Sequence, residues 1–285
     1  MRNKSSLYTT IFFTIVLLVG LSVMLYPIVS NWWNERVQSR AVASYNDAIV
    51  QMDEDKTAEI LDAAHAYNRK IANLNAPFSD YVKIAGYDEI LDVSGTGIMG
   101  YITIPAIGVE LPIYHGTSEA VLNVAAGHLQ GSAIPVGGEN THAVISAHRG
   151  LPSAKLFTDL DKMVVGDVFT ITILDEVYTY QVEEILIVQP YEMNRLAIIP
   201  DSDYVTLMTC TPYGVNTHRL LLRSKRIETI YELDVKVVAD ALKVDPLYVV
   251  PLIAAPLLLA LLIFWIFGGK RKKKRSSLEY MIYLK

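Results

Sequence analysis

The chain has one cysteine, Cys210, among 285 residues. A disulfide within the chain is therefore excluded, and so is a zinc site built on several thiolates. Histidine is also sparse. Six are present, and none shows metal-ligand spacing such as His-x3-His with a third ligand. No glycine-rich phosphate loop precedes a helix, so neither a cofactor nor a metal is expected. There is no repeat of fixed period, and no low-complexity tract apart from a basic tail. Positive charge is scarce where a partner would meet it. The whole chain holds 25 Lys+Arg and 30 Asp+Glu, but nine of the basic residues and one acidic residue, Glu279, lie in the two tails. The segment between them keeps 16 basic and 29 acidic residues, a net charge of about −13. That balance argues against a nucleic-acid partner and suits an approach to cationic groups.

Long apolar runs are plentiful at both ends. Leu7 to Val29 carries no charged side chain and is long enough to cross a bilayer as a helix. Arg2 and Lys4 precede it, and Trp32-Trp33 follows. Leu247 to Phe267 is a second uncharged run, ending near Trp265 and followed by Lys270-Arg271-Lys272-Lys273-Lys274-Arg275. Basic flanks mark the cytoplasmic side, tryptophan favours the interface, and a basic run beside a span contacts anionic lipid. The expected layout is a cytoplasmic tail over 1–6, a span over 7–29, and an extracellular helical region over 30–92. A β domain over 93–232, a linker over 233–246, a second span over 247–267 and a basic cytoplasmic tail over 268–285 complete it. The first run is longer than a signal-peptide core and lacks an Ala-x-Ala site, which favours a retained anchor. The chain is thus expected at the cell membrane, with both termini inside.

From Asn34 to about Asn75, apolar residues recur at Val37, Ala41, Tyr45, Ile49 and Met52, then at Ile60, Ala64 and Tyr67. This spacing predicts one or two amphipathic helices that pack on the domain. Asn75-Ala76-Pro77-Phe78-Ser79 ends the pattern. Strand-like runs then follow at 98–104, 109–114, 143–148, 168–174, 177–188, 204–209 and 218–226, punctuated by Gly, Pro, Asn or Asp. Asp175-Glu176 reads as a tight hairpin. Several short strands with few long helices between them predict an all-β barrel or sandwich.

Cys210 closes the run Tyr204-Val205-Thr206-Leu207-Met208-Thr209, and Thr211-Pro212-Tyr213-Gly214 turns the chain directly after it. That places the thiol at the rim of a sheet. A lone cysteine is more often a small buried hydrophobe than a nucleophile, so a partner has to be found. His65 lies in a helical stretch, His115 and His128 in Gly-flanked loops, His142 at a strand start, and His218 beside Arg219. His148 ends an apolar strand before a Gly turn, as Cys210 ends its own, and is the best-placed partner. A guanidinium stays protonated and can donate to an oxyanion. Arg219 and Arg223 share one parity on the next strand; alternation leaves both open, and Arg219 is nearer the Cys210 turn.

Thr206-Leu207-Met208-Thr209-Cys210, followed by an Arg in the next strand, resembles the Thr-Leu-x-Thr-Cys signature of sortases, the membrane-anchored transpeptidases of Gram-positive bacteria. Gly127-His128-Leu129, Pro135 through His142, Ser146 through Pro152 and Thr209 through Tyr213 extend the match, which is closest to the class C, pilin-polymerising group. The resemblance implies a closed eight-stranded β-barrel with an N-terminal helical region and two terminal spans. It implies His148, Cys210 and Arg219 as catalytic residues, and Thr209 as a substrate contact. It also implies cleavage of an LPxTG-like sorting signal between Thr and Gly, with transfer to a lysine amine of a pilin subunit. Wall anchoring of surface proteins and hydrolysis by water are the alternatives. Class C enzymes often carry an Asp-Pro-aromatic lid. The equivalent here is Ala76-Pro77-Phe78, in which Pro77 and Phe78 match and Ala76 replaces the acid.

Overall fold

The strand-like runs pair into one closed sheet. The computed structural model describes residues 4–229 and three isolated positions, 254, 256 and 258. The expected second span and basic tail lie outside the described residues. The strands are β1 (Ile98–Ile104), β2 (Val109–His115), β3 (Ala126–His128), β4 (Thr141–Ser146), β5 (Val168–Ile173), β6 (Glu176–Val188), β7 (Asp203–Thr211) and β8 (His218–Ile227). They close in the order β1-β2-β3-β4-β7-β8-β6-β5. β2–β3 and β4–β7 are parallel, and the other pairs are antiparallel.

The interior is filled by side chains, as an eight-stranded barrel requires. Met99, Ile102, Ile104, Ile113, Ile145, Phe157, Phe169 and Tyr180 are all fully buried. Chemistry on a peptide therefore belongs to the rim or the outer face. β4, β7 and β8 are apolar on both parities along much of their length, the pattern of strands covered on both faces.

Before the barrel come α1 (Lys4–Val50) and α2 (Glu54–Ala72). Residues up to Val29 and residues 30–233 fall into separate units. Ile11–Val50 is a helix whose most apolar window has the hydropathy and the lack of charge needed to cross a membrane. Asp53 caps α2 by accepting from the Lys56 N–H at 2.7 Å. Ala64, Tyr67, Asn68 and Ile71 form its buried stripe. Both helices are pinned to the barrel by buried polar groups. The Tyr45 hydroxyl donates to the Met99 carbonyl at 3.0 Å and accepts from the Leu174 N–H at 2.8 Å. The Asn68 amide makes both bonds to the Ile134 backbone, at 2.9 and 2.7 Å.

The structure corrects three local expectations. The hairpin between β5 and β6 turns at Leu174-Asp175, one residue earlier than the charge pattern indicates. Leu174 takes φ 54° there because its side chain is buried and its N–H is held by Tyr45. β3 has three residues, too short to show alternation, so His128 ends a strand rather than lying in a loop; His115 likewise ends β2. β4 stops at Ser146, two residues before His148.

Candidate active site

Strand parity selects the outer face of β4, β7 and β8. Ala143, Ile145 and Ala147 turn into the main core, as do Val205, Leu207, Leu220 and Leu222. The alternate positions, Val144 and His148 on the first chain segment, Met208 and Cys210 on β7, and Arg219 and Leu221 on β8, face outward. Register then aligns them. Ser146 pairs with Met208, and Cys210 pairs with Arg219. The β4–β7 ladder continues past Ser146, where the Ala147 N–H donates to the Met208 carbonyl at 3.2 Å. His148 follows two residues after Ser146, in the loop that leaves this end of β4, and β4 runs parallel to β7, whose corresponding end carries Cys210. His148, Cys210 and Arg219 are each half-buried, so a rim location and access from solvent coexist.

Thr209 is the exception among the expected site residues. It is 1% exposed, turns inward, and donates from Oγ1 to the Ala147 carbonyl at 2.8 Å. Its side chain ties the chain just past the end of β4 to β7, one residue before Cys210.

The two arginines left open by alternation have different surroundings. Arg223 lies opposite Thr206, is ion-paired to Glu184 at 2.6 Å, and sits over the Tyr204 ring. Arg219 is held only by backbone carbonyls among the described residues, those of His218 at 3.2 Å and Asn216 at 3.4 Å. Its remaining donors face no carboxylate there.

The other histidines near the barrel are committed to structure. The His142 Nδ1–H donates to the Ala197 carbonyl at 2.9 Å, and its Nε2 accepts from Thr206 at 2.7 Å. Burial lowers its pKa to about 4. The His128 Nε2–H donates to the Ala133 carbonyl at 2.8 Å, and its Nδ1 accepts from the Tyr87 hydroxyl at 2.8 Å. Burial lowers it also to about 4. His115 sits with its ring nitrogens on the carbonyls of Gly97 and Ile90, and His218 bonds Gln189 and Thr217. His65 remains on α2. Among the described residues, the His148 ring has no hydrogen-bond partner and stands at the rim.

A second apolar cluster lies on this outer face. Val144, Val188, Leu196 and Leu221 are its buried members, with Leu129, Leu186, Met193, Met208 and Phe78 packed against them. Phe78 belongs to α3 (Pro77–Asp80), a single turn opened by Pro77. Its backbone lies so close to Gly131 that a Cβ there would approach the Pro77 carbonyl oxygen to 2.9 Å. The apolar outward positions Val144, Met208 and Leu221 were the sequence signal of this cluster.

A closed eight-stranded barrel with a free cysteine, a histidine and an arginine at one rim defines a class of cysteine-centred barrel proteins. The chain belongs to the sortase family. Residues 102–227 match the sortase domain. Sortase C1 of Streptococcus agalactiae is 46% identical, with 67% of this chain and 100% of that one covered and a TM-score of 0.62. A crystallised lid mutant of Streptococcus agalactiae sortase C1 is 40% identical, with 66% and 98% covered and a TM-score of 0.60. Sortase A of Streptococcus agalactiae serotype III is 32% identical over 135 residues, covering 46% of this chain and 54% of that protein. The chain thus spans only about half the length of that curated relative.

Proposed function

We propose that this protein is a membrane-anchored cysteine transpeptidase that polymerises pilin subunits. It would cleave an LPxTG-like sorting signal between Thr and Gly and transfer the acyl group to a lysine amine. The observation that carries this reading is the register that sets Cys210 opposite Arg219, on a strand that runs parallel to β4, which ends two residues before His148. The likeness to sortase C1 of GBS Pilus Island 1, 40% identical with a TM-score of 0.60, supports the pilin assignment.

The chemistry follows from the three groups. The Cys210 thiolate attacks the threonine carbonyl carbon, and the carbonyl oxygen takes the negative charge. Arg219, with donors not engaged by a carboxylate, stabilises that oxyanion without giving up a proton. As the C–N bond breaks, imidazolium His148 delivers a proton to the departing glycine amine and leaves a thioester on Cys210. The incoming lysine ammonium first gives one proton to solvent; neutral His148 then removes a second proton from the amine as its nitrogen attacks the thioester. An isopeptide bond forms and the thiolate is released. The net acidic body is compatible with a cationic acceptor.

The apolar outer-face cluster of Val144, Met208, Leu221 and Leu196, once uncovered, would offer an apolar surface to a sorting signal. Phe78 packs there in the resting chain, which supports a lid function for Pro77-Phe78. The N-terminal helix supports membrane attachment. The second span, the outward-facing barrel and the cytoplasmic ends rest on charge and hydropathy in the sequence. Mass spectrometry of the product from full-length protein, a sorting-signal peptide and pilin is the direct test. A peptide–lysine isopeptide is the expected product. Hydrolysed peptide as the sole product, with pilin in excess, overturns the transpeptidase reading.

A further inference from the structure

We infer that Arg149 is a positioning residue for the Cys210–His148 pair, tying the chain just after the histidine to the chain just after the cysteine. The inference rests on the proposed function, because it assigns that pair the chemistry.

Arg149 follows His148, and its side chain is only 9% exposed. Few arginines are so buried without a specific task. Each end of the guanidinium reaches a different segment. Nη2 pairs with Asp161, in the 3₁₀ turn Leu160–Lys162. Nη1 donates to Thr211 Oγ1 at 3.4 Å, and Thr211 is the neighbour of Cys210. The guanidinium carbon also lies 5.9 Å from the centre of the Tyr213 ring, in the turn that carries the chain from β7 to β8. Its Nε is buried and has no hydrogen-bond partner among the described residues. A buried, imperfectly satisfied cation carries a desolvation cost, and its retention here needs a reason other than stability.

The surrounding chain is built to hold that geometry. Gly150, at φ 77°, lets the Tyr213 ring approach so closely that a Cβ would meet ring carbons at 2.9 to 3.3 Å. The Gly150 N–H donates to Thr158 Oγ1 at 3.1 Å, and the Phe157 N–H donates to the His148 carbonyl, also at 3.1 Å. His148 lies past the end of β4, so the strand ladder does not hold it. What fixes it against Cys210 is this loop, and Arg149 is the side chain that spans from the loop to the β7–β8 turn. Arg149 does not touch the reacting atoms; it sets the distance between the two residues that do.

The test compares Arg149→Met, Arg149→Lys and Thr211→Val in the full-length protein. The readouts are the rate of Cys210 alkylation by iodoacetamide across pH, steady-state transpeptidation, and the melting temperature. Misplacement of reacting groups by about 1 Å costs on the order of 10²-fold. Arg149→Met is expected to lower kcat about 10- to 100-fold with KM within about twofold, and to alter the pH profile of alkylation. Arg149→Lys keeps one charge for Asp161 but loses the fork, and is expected to fall between Met and wild type. Thr211→Val is expected to lose less than Arg149→Met, and the double variant less than the product of the two effects. An unchanged alkylation profile in well-folded Arg149→Met, or independent effects of Arg149 and Thr211, overturns the inference. Alkylation uses no peptide, so it reads the pair directly. Failure of the wild type to form a thioester with sorting-signal peptide would instead overturn the proposed function.

Discussion

Cys210 and Arg219 are directly opposed partners in the β7–β8 ladder, while Arg223, four residues on, is opposed to Thr206 and paired with Glu184. One strand therefore carries two arginines of equal parity and unequal freedom. Arg219→Ala is expected to lower transpeptidation by about 10² to 10³ through loss of an oxyanion donor. Arg223→Ala removes a partly exposed ion pair and is expected to cost at most about 1 kcal/mol of stability with turnover near wild type. Steady-state kinetics on both variants decide the point. Equal losses would show that the cross-strand position of Arg219 has no catalytic meaning.

Cys210 is the only thiol in the chain, so covalent capture has a single address. Cys210→Ala is expected to abolish the mass adduct with a sorting-signal peptide while leaving the melting temperature within a few degrees, since the side chain is half-buried at a rim. An adduct of undiminished yield in that variant removes Cys210 as nucleophile.

The two buried histidines make the barrel sensitive to acid. His128 and His142 each have a folded pKa near 4, below the usual value of 6.5, because burial disfavours the imidazolium. The unfolded chain binds these protons more readily, so the stabilisation is complete above about pH 6.5 and is lost as pH falls through 4. At pH 5.5 the loss is about 1 kcal/mol for each histidine, and each shifts the melting temperature by roughly 2–4 °C. Melting curves between pH 7.5 and 5 check this. His142→Asn is expected to flatten the dependence by about half. An identical pH slope in that variant would show that His142 is not the source.

Much of the barrel and the strand-end position of Cys210 were legible because they depend on local signals. Alternation, turn residues and a strand-end thiol are all short-range features. The Leu174 turn was displaced because its energetics depend on Tyr45, 129 residues away in sequence. β3 escaped because three residues carry no period. The tie from Thr209 to the Ala147 carbonyl was not legible, because that carbonyl lies 62 residues away in sequence. Only the resemblance separated Arg219 from Arg223 in the sequence; parity leaves both open, and their different partners depend on register. Arg149 drew no notice because its partners, Asp161 and Thr211, lie 12 and 62 residues away.

Phe78 fixes the last expectation, since it lies on the same apolar surface as Met208, two residues from Cys210. If that ring shields the surface, access to the thiol requires its release, and the labelling rate follows the fraction of released chains. Fully burying a Phe stabilises by about 1.5–3 kcal/mol, and this half-buried one by about half as much. Phe78→Ala is therefore expected to speed Cys210 alkylation about five- to tenfold, up to the limit of full opening. Ala76→Asp works in the opposite direction. Ala76 precedes the turn and carries no charge, whereas the resemblance implies that an acid at this position pairs with the catalytic arginine, and Arg219 has no acidic partner among the described residues. Slower alkylation is expected in that variant, and the slowing should fade at high salt because an exposed pair is screened. Stopped-flow alkylation of wild type, Phe78→Ala and Ala76→Asp measures all three rates. Three equal rates would mean that Pro77-Phe78 is only a packed helix start and that the thiol is open in the resting enzyme.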